Sequence, residues 1–182
     1  MAANMDIPDP HRWGVLRKLP WIVAAALLLL PALAMQFDVE GVAWTASDFV
    51  AMGAILFFAC ACFELATRFA PNFTYLVAAA LGIGTGFLLV WANLAVGIIG
   101  DGLGTPNLMF FGVVLVGLLG AAVARLRAAA MARAMLATTG ALVLAILAGV
   151  ALFGATALEA GLTLVFVAGW VASAGLFYLS AR

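Results

Sequence analysis

The sequence predicts an all-α, polytopic integral membrane protein with six transmembrane helices arranged as three antiparallel hairpins. Three observations predict it. The chain is 68% hydrophobic and only 9% charged over 182 residues, with a mean hydropathy of +1.24, so a soluble fold would leave most of its apolar surface in water. Its apolar runs reach about 18 residues or more, the length at which a helix crosses hydrocarbon with its backbone hydrogen bonds closed internally. No alternation of apolar and polar residues at period two marks barrel strands.

The distribution of charge tests the span count. Residues 1–18 form a polar tail with Pro8, Pro10 and His11, closing on Arg12, Arg17 and Lys18. Six spans follow, at about 19–37, 46–66, 73–99, 106–124, 135–156 and 161–180. With that count, all eight Lys and Arg fall on one side: the tail, the Arg68 turn, the connector holding Arg125, Arg127 and Arg133, and Arg182. Asp38, Glu40, Asp48, Asp101 and Glu159 fall on the other side, with no base among them. Basic residues mark the cytoplasmic side, so both termini are expected there. Five or seven spans would scramble the partition.

The first span also resembles a signal peptide, with a basic lead, an apolar run and Ala32-Leu33-Ala34. The lead is long and carries two aspartates, and the run is long enough to cross, so a retained helix is expected. Thr45-Ala46-Ser47-Asp48 fits a capping box at the start of the second span. Pro71-Asn72 turns the chain into the third, and Thr105 with Pro106 forms a cap and first-turn pair for the fourth. Connectors this short predict that sequence neighbours are antiparallel neighbours in space. The whole of 19–182 reads as one domain.

Polar side chains are few enough to weigh singly. Gly82, Gly86, Val90, Asn93 and Gly97 recur at helical spacing on one face of the third span. Small residues allow close helix approach and an amide seeks a partner across the interface, so this face reads as a packing seam. The rival reading is a ligand or ion pocket around Asn93, with Trp91, Asp101 and Asn107 at its mouth. Asp101 lies in Gly100-Asp101-Gly102-Leu103-Gly104, which lacks the Lys and the Ser or Thr of a phosphate loop and reads as a tight turn. The acidic residues on that side match no calcium-loop spacing.

Glu64 is the most deeply placed carboxylate, and Arg68 four residues on predicts a helix ion pair near the boundary. Cys60 shares its face, but one thiol and one carboxylate are too few ligands for a metal. Cys60 and Cys62 are two apart on a helix and point away from each other, so they cannot pair. Trp13, Trp21, Trp44 and Trp91 fall near boundaries as aromatic anchors, whereas Trp170 lies mid-span with Ser173 on its side. Arg125, Arg127 and Arg133 are candidates for an anionic lipid head group.

Several chemistries have no residues here. The chain has no Gly-x-Ser-x-Gly elbow, no His-Glu-x-x-His, no paired mid-helix carboxylates and no mid-membrane lysine. No catalytic residue, metal site or cofactor is expected. A formal net charge of zero gives no patch for nucleic acid. Expected partners are the lipid bilayer and, through the glycine-rich helix faces, other membrane proteins or further copies of the chain.

The run Trp91-x-Asn93-x-Ala95-Val96-Gly97-Ile98-Ile99-Gly100, followed by Pro106-Asn107-Leu108-Met109-Phe110, resembles a signature of uncharacterised small multi-pass bacterial inner-membrane proteins. The likeness takes in Glu64-Leu65-Ala66 and the arginines after the fourth span. It implies a location and an architecture, and carries over no activity. Two function classes stand open: an accessory or scaffold subunit of a membrane assembly, and a small-solute or ion module with a pocket around Asn93.

Overall fold

The computed structural model describes residues 14–100, 102 and 104–182. Among them every regular element is helical: α1 (Gly14–Gln36), α2 (Ala46–Phe69), α3 (Phe73–Ala95), a 3-10 turn (Thr105–Asn107), α4 (Leu108–Ala124), α5 (Ala128–Phe153), α6 (Ala157–Leu162) and α7 (Leu164–Ser180). Six helices are long and apolar enough to cross a membrane, with the 3-10 turn and α4 counted as one and α6 and α7 as another. The chain is an all-helical, multi-pass membrane protein. Within the stretch that reads as one domain, the described residues cluster into two compact units, one through Pro71 and one from Asn72 to Arg182.

In the first unit α1 and α2 pack on each other. α1 runs unbroken through Pro20 and Pro31. The Trp21 and Phe57 rings meet edge to face at 5.4 Å, the preferred geometry for two aromatic quadrupoles. The expected capping box starts α2: Asp48 N–H donates to the Thr45 hydroxyl, and Thr45 N–H donates to the Asp48 carboxylate at 2.7 Å. The helix runs three residues beyond the expected end at 66, to Phe69.

In the second unit α7 lies between α3 and α5, and α5 lies between α7 and α4. The α3/α7 pairing is antiparallel, read from three bonds. Asn72 Nδ2 donates to Ser180 O at 3.1 Å, Ser173 Oγ to Ala78 O at 2.8 Å, and Trp170 Nε1 to Gly82 O at 3.1 Å. Small residues let these helices close up. A Cβ on Gly169 would collide with the Thr85 hydroxyl, and one on Gly82 would meet Ser173 Oγ at 2.8 Å. The α4/α5 seam repeats the device, with Gly117 against Thr138 and Gly120 against Ala134. α3 and α4 follow each other in the chain yet pack chiefly on α7 and α5.

Other boundaries also differ from the sequence reading. α3 ends at Ala95, four residues before 99. α5 starts at Ala128, seven residues before 135, because Arg125 and Leu126 both take left-handed backbone (φ 49° and 56°) and reverse the chain in three residues. The span expected at 161–180 begins at Thr156, a second capping box in which Glu159 N–H donates to the Thr156 hydroxyl and Thr156 N–H to the Glu159 carboxylate. It is then interrupted at Thr163, which separates α6 from α7. Thr105 is not the cap of the fourth span: Gly104 precedes the 3-10 turn, and no side chain caps it.

Candidate functional site

The polar node forms where α3 gives way to the loop before α4. α3 cannot continue past Ala95 because Gly97 and Gly100 take left-handed backbone (φ +79° and +65°), a region that glycine enters without steric cost. That reversal exposes the next amides, and Asn107 collects them. Its Oδ1 accepts from Ile98 N–H and Ile99 N–H, each at 3.0 Å. Its Nδ2 donates to Ile99 O at 3.1 Å and to Gly102 O at 2.6 Å. One buried amide therefore bonds four backbone groups of the loop, of which Gly102 O also accepts Gly104 N–H at 3.0 Å. Gly97 must be glycine for a second reason: a Cβ there would sit 2.7 Å from Gly102 O and 2.9 Å from Asn107 Nδ2.

Asn93 approaches from α3. Its Nδ2 donates to Asn107 O at 2.9 Å, and both asparagines are 0% exposed. That bond fixes the orientation of the Asn93 amide, since the flipped form would set two oxygens face to face. Its Oδ1 accepts nothing among the described residues. Outside the ring of bonds, Gly100 N–H donates to Glu159 Oε1 at 2.7 Å. Glu159 Oε2 meanwhile receives Thr156 N–H and the Thr156 hydroxyl. One carboxylate thus caps α6 and ties it to the loop. Ile99, buried beneath, lies so close to Gly149 that a Cβ on that glycine would collide with it.

The expected residues divide. Asn93 and Asn107 come together. Trp91 does not join them: it sits two positions from Asn93 on α3, hence on nearly the opposite side of the helix, and is 43% exposed. Asp101 lies outside the described residues. Glu159, placed by the sequence only among the acidic residues of that side, is the second pin of the loop. Its signal was the Thr156-x-x-Glu159 spacing of a capping box.

Of the seam residues on α3, Gly82 and Gly86 face Ser173 and Trp170 of α7. These glycines are consumed inside the unit. Gly112, Gly140 and Gly175 are exposed, with nothing within 4 Å of a Cβ.

The basic groups also divide. Arg125 and Arg127 sit in the α4–α5 connector, while Arg133 lies inside α5, and all three are exposed. Tyr75 locks the connector by donating its hydroxyl to Leu126 O at 2.7 Å. In the first unit Glu64 does meet Arg68, at 3.5 Å, but its shorter partner is Arg17 of α1, at 2.6 Å. Spacing along one helix reveals an i,i+4 pair and is blind to a cation arriving from a neighbour.

Comparison with protein-family models, with curated proteins and with solved structures finds no match.

Proposed function

We propose that this chain is a non-enzymatic accessory or scaffold subunit of a membrane assembly, in the bacterial inner membrane with both termini in the cytoplasm. The observation that carries this reading is the way the polar groups of the second unit are spent. The Asn107 amide, the Trp170 indole, the Ser173 hydroxyl and the Tyr75 hydroxyl all bond to backbone of the same unit. A node built that way fixes helix ends and loop path and offers little to a passing solute. The exposed glycines Gly112, Gly140 and Gly175 leave room for a partner helix to approach closely. The one-sided distribution of Lys and Arg supports the orientation, and the Trp91–Gly100 motif supports the bacterial location.

One observation favours a second reading, a small-solute or ion module. The Asn93 Oδ1 atom is a buried acceptor without a donor among the described residues, which an outside ligand could engage. Purification in mild detergent separates the two. The scaffold reading predicts stable co-purifying membrane proteins or self-association, weakened by Gly112→Leu or Gly140→Leu. A monodisperse, partner-free particle stabilised by one compound in a thermal-shift screen contradicts it and supports the module.

A further inference from the structure

Among the described residues, the end of the first unit that carries the start of α1 and the finish of α2 has an unbalanced charge. Arg17 Nη2 donates to Glu64 Oε1 at 2.6 Å, and Arg68 Nη2 stands 3.5 Å from that same oxygen. Two guanidinium groups thus converge on one carboxylate atom, and Lys18 follows Arg17 on an exposed position. Among the described residues here, three cations accompany one anion. Each guanidinium carries five N–H donors in a planar fork suited to phosphate, and Glu64 engages one nitrogen of each. The side chains of Arg17 and Arg68 are 39% and 62% exposed, so both remain reachable.

The surroundings select the kind of anion. Leu65 and Phe69 of α2, three positions before and one after Arg68, are exposed apolar side chains, each about half open. A free phosphate has no use for them. An amphiphile has, because its charged head can meet the arginines while its tails cover the apolar surface. We propose that this end of the hairpin binds the headgroup phosphate of an anionic phospholipid between Arg17 and Arg68, with Lys18 adding charge and the acyl chains lying along Leu65 and Phe69. Glu64 acts as a positioning residue, holding the two guanidinium groups side by side.

The test is native mass spectrometry of the full chain released from bilayers of equimolar phosphatidylcholine and phosphatidylglycerol, counting the lipids retained. The wild-type chain retains phosphatidylglycerol preferentially. Each cation near an anionic membrane surface is worth about a fivefold change in binding, so Arg68→Gln lowers the preference by roughly that factor and Arg17→Gln/Arg68→Gln removes most of it. Should the double variant fail to fold, Arg68→Gln alone carries the test, since its pair with Glu64 is the long and exposed one. Equal retention of both lipids, an unchanged preference in Arg68→Gln, or loss of the preference only in Arg125→Gln/Arg127→Gln would overturn the site. Displacement of the lipid by excess inorganic phosphate would overturn its assignment to a phospholipid.

Discussion

Asn93 and Asn107 meet head to backbone: the Asn93 amide donates at 2.9 Å to the main-chain carbonyl of Asn107, whose own side chain is turned onto the loop. One asparagine thereby joins the end of α3 to the entrance of α4, and the other shapes everything between. The two carry unequal loads.

Asn107→Leu leaves the amides of Ile98 and Ile99 and the carbonyl of Ile99 without their side-chain partner. Leaving a buried polar group unsatisfied costs about 1–3 kcal/mol. A loss of roughly 3 kcal/mol or more is expected, measured by steric trapping or reversible unfolding in mixed micelles. Asn107→Asp keeps the acceptor but turns its second oxygen onto the carbonyls of Ile99 and Gly102 in a buried site, so it should be no more stable than Asn107→Leu.

Asn93→Leu loses one bond and one orphaned acceptor together. An interhelical hydrogen bond in a membrane averages about 0.6 kcal/mol, and removal of the unpaired oxygen offsets part of that. The same assay should register a change under about 1 kcal/mol. A cost as large as that of Asn107→Leu would show that Asn93 has a further partner.

Two left-handed glycines in the loop make an internal control. Gly100→Ala meets nothing within 4 Å and carries only the backbone penalty, about 1 kcal/mol. Gly97→Ala carries the same penalty and drives a Cβ into Gly102 O and Asn107 Nδ2. Thermal stability should rank wild type, then Gly100→Ala, then Gly97→Ala.

Glu159→Ala removes the carboxylate half of the α6 capping box and the tie to Gly100 in one step, while the Thr156 hydroxyl keeps the bond from the backbone N–H of residue 159. Each hydrogen bond lost costs about 1 kcal/mol, and hydrogen exchange at Gly100 should quicken while exchange in α5 stays unchanged. Glu159→Gln keeps one acceptor oxygen and should show a smaller effect.

Much of this fold was legible because a membrane protein writes its constraints in composition. The span count follows from apolar length, and the Thr45–Asp48 box from a local motif. The end of α3 was not legible in the same way. Val96, Ile98 and Ile99 are apolar and continue the hydrophobic run, so hydropathy extends the span to 99. What stops the helix is the left-handed backbone at Gly97 together with a side-chain acceptor at Asn107, ten residues further on, and hydropathy scores neither backbone conformation nor hydrogen bonding.

The start of α5 was hidden for a related reason. Arg125, Arg127 and Arg133 look like one basic connector, but the reversal needs only three residues and Arg133 already lies on the helix. At the node, Asn93 and Asn107 stood out as amides in an apolar setting, and Trp91 was drawn in by proximity in sequence alone. The Arg17–Glu64 contact depends on how α1 packs on α2, which spacing within either helix does not encode.

The chain crosses lipid between the loop around Gly102 and the connector at Arg127, and the orientation proposed above puts the loop outside. In a background lacking Cys60 and Cys62, Gly102→Cys and Arg127→Cys should label with a membrane-impermeant maleimide from opposite faces: Gly102→Cys in intact cells, Arg127→Cys only in inverted vesicles. Labelling of both from the same face would contradict the threading on which the buried node depends.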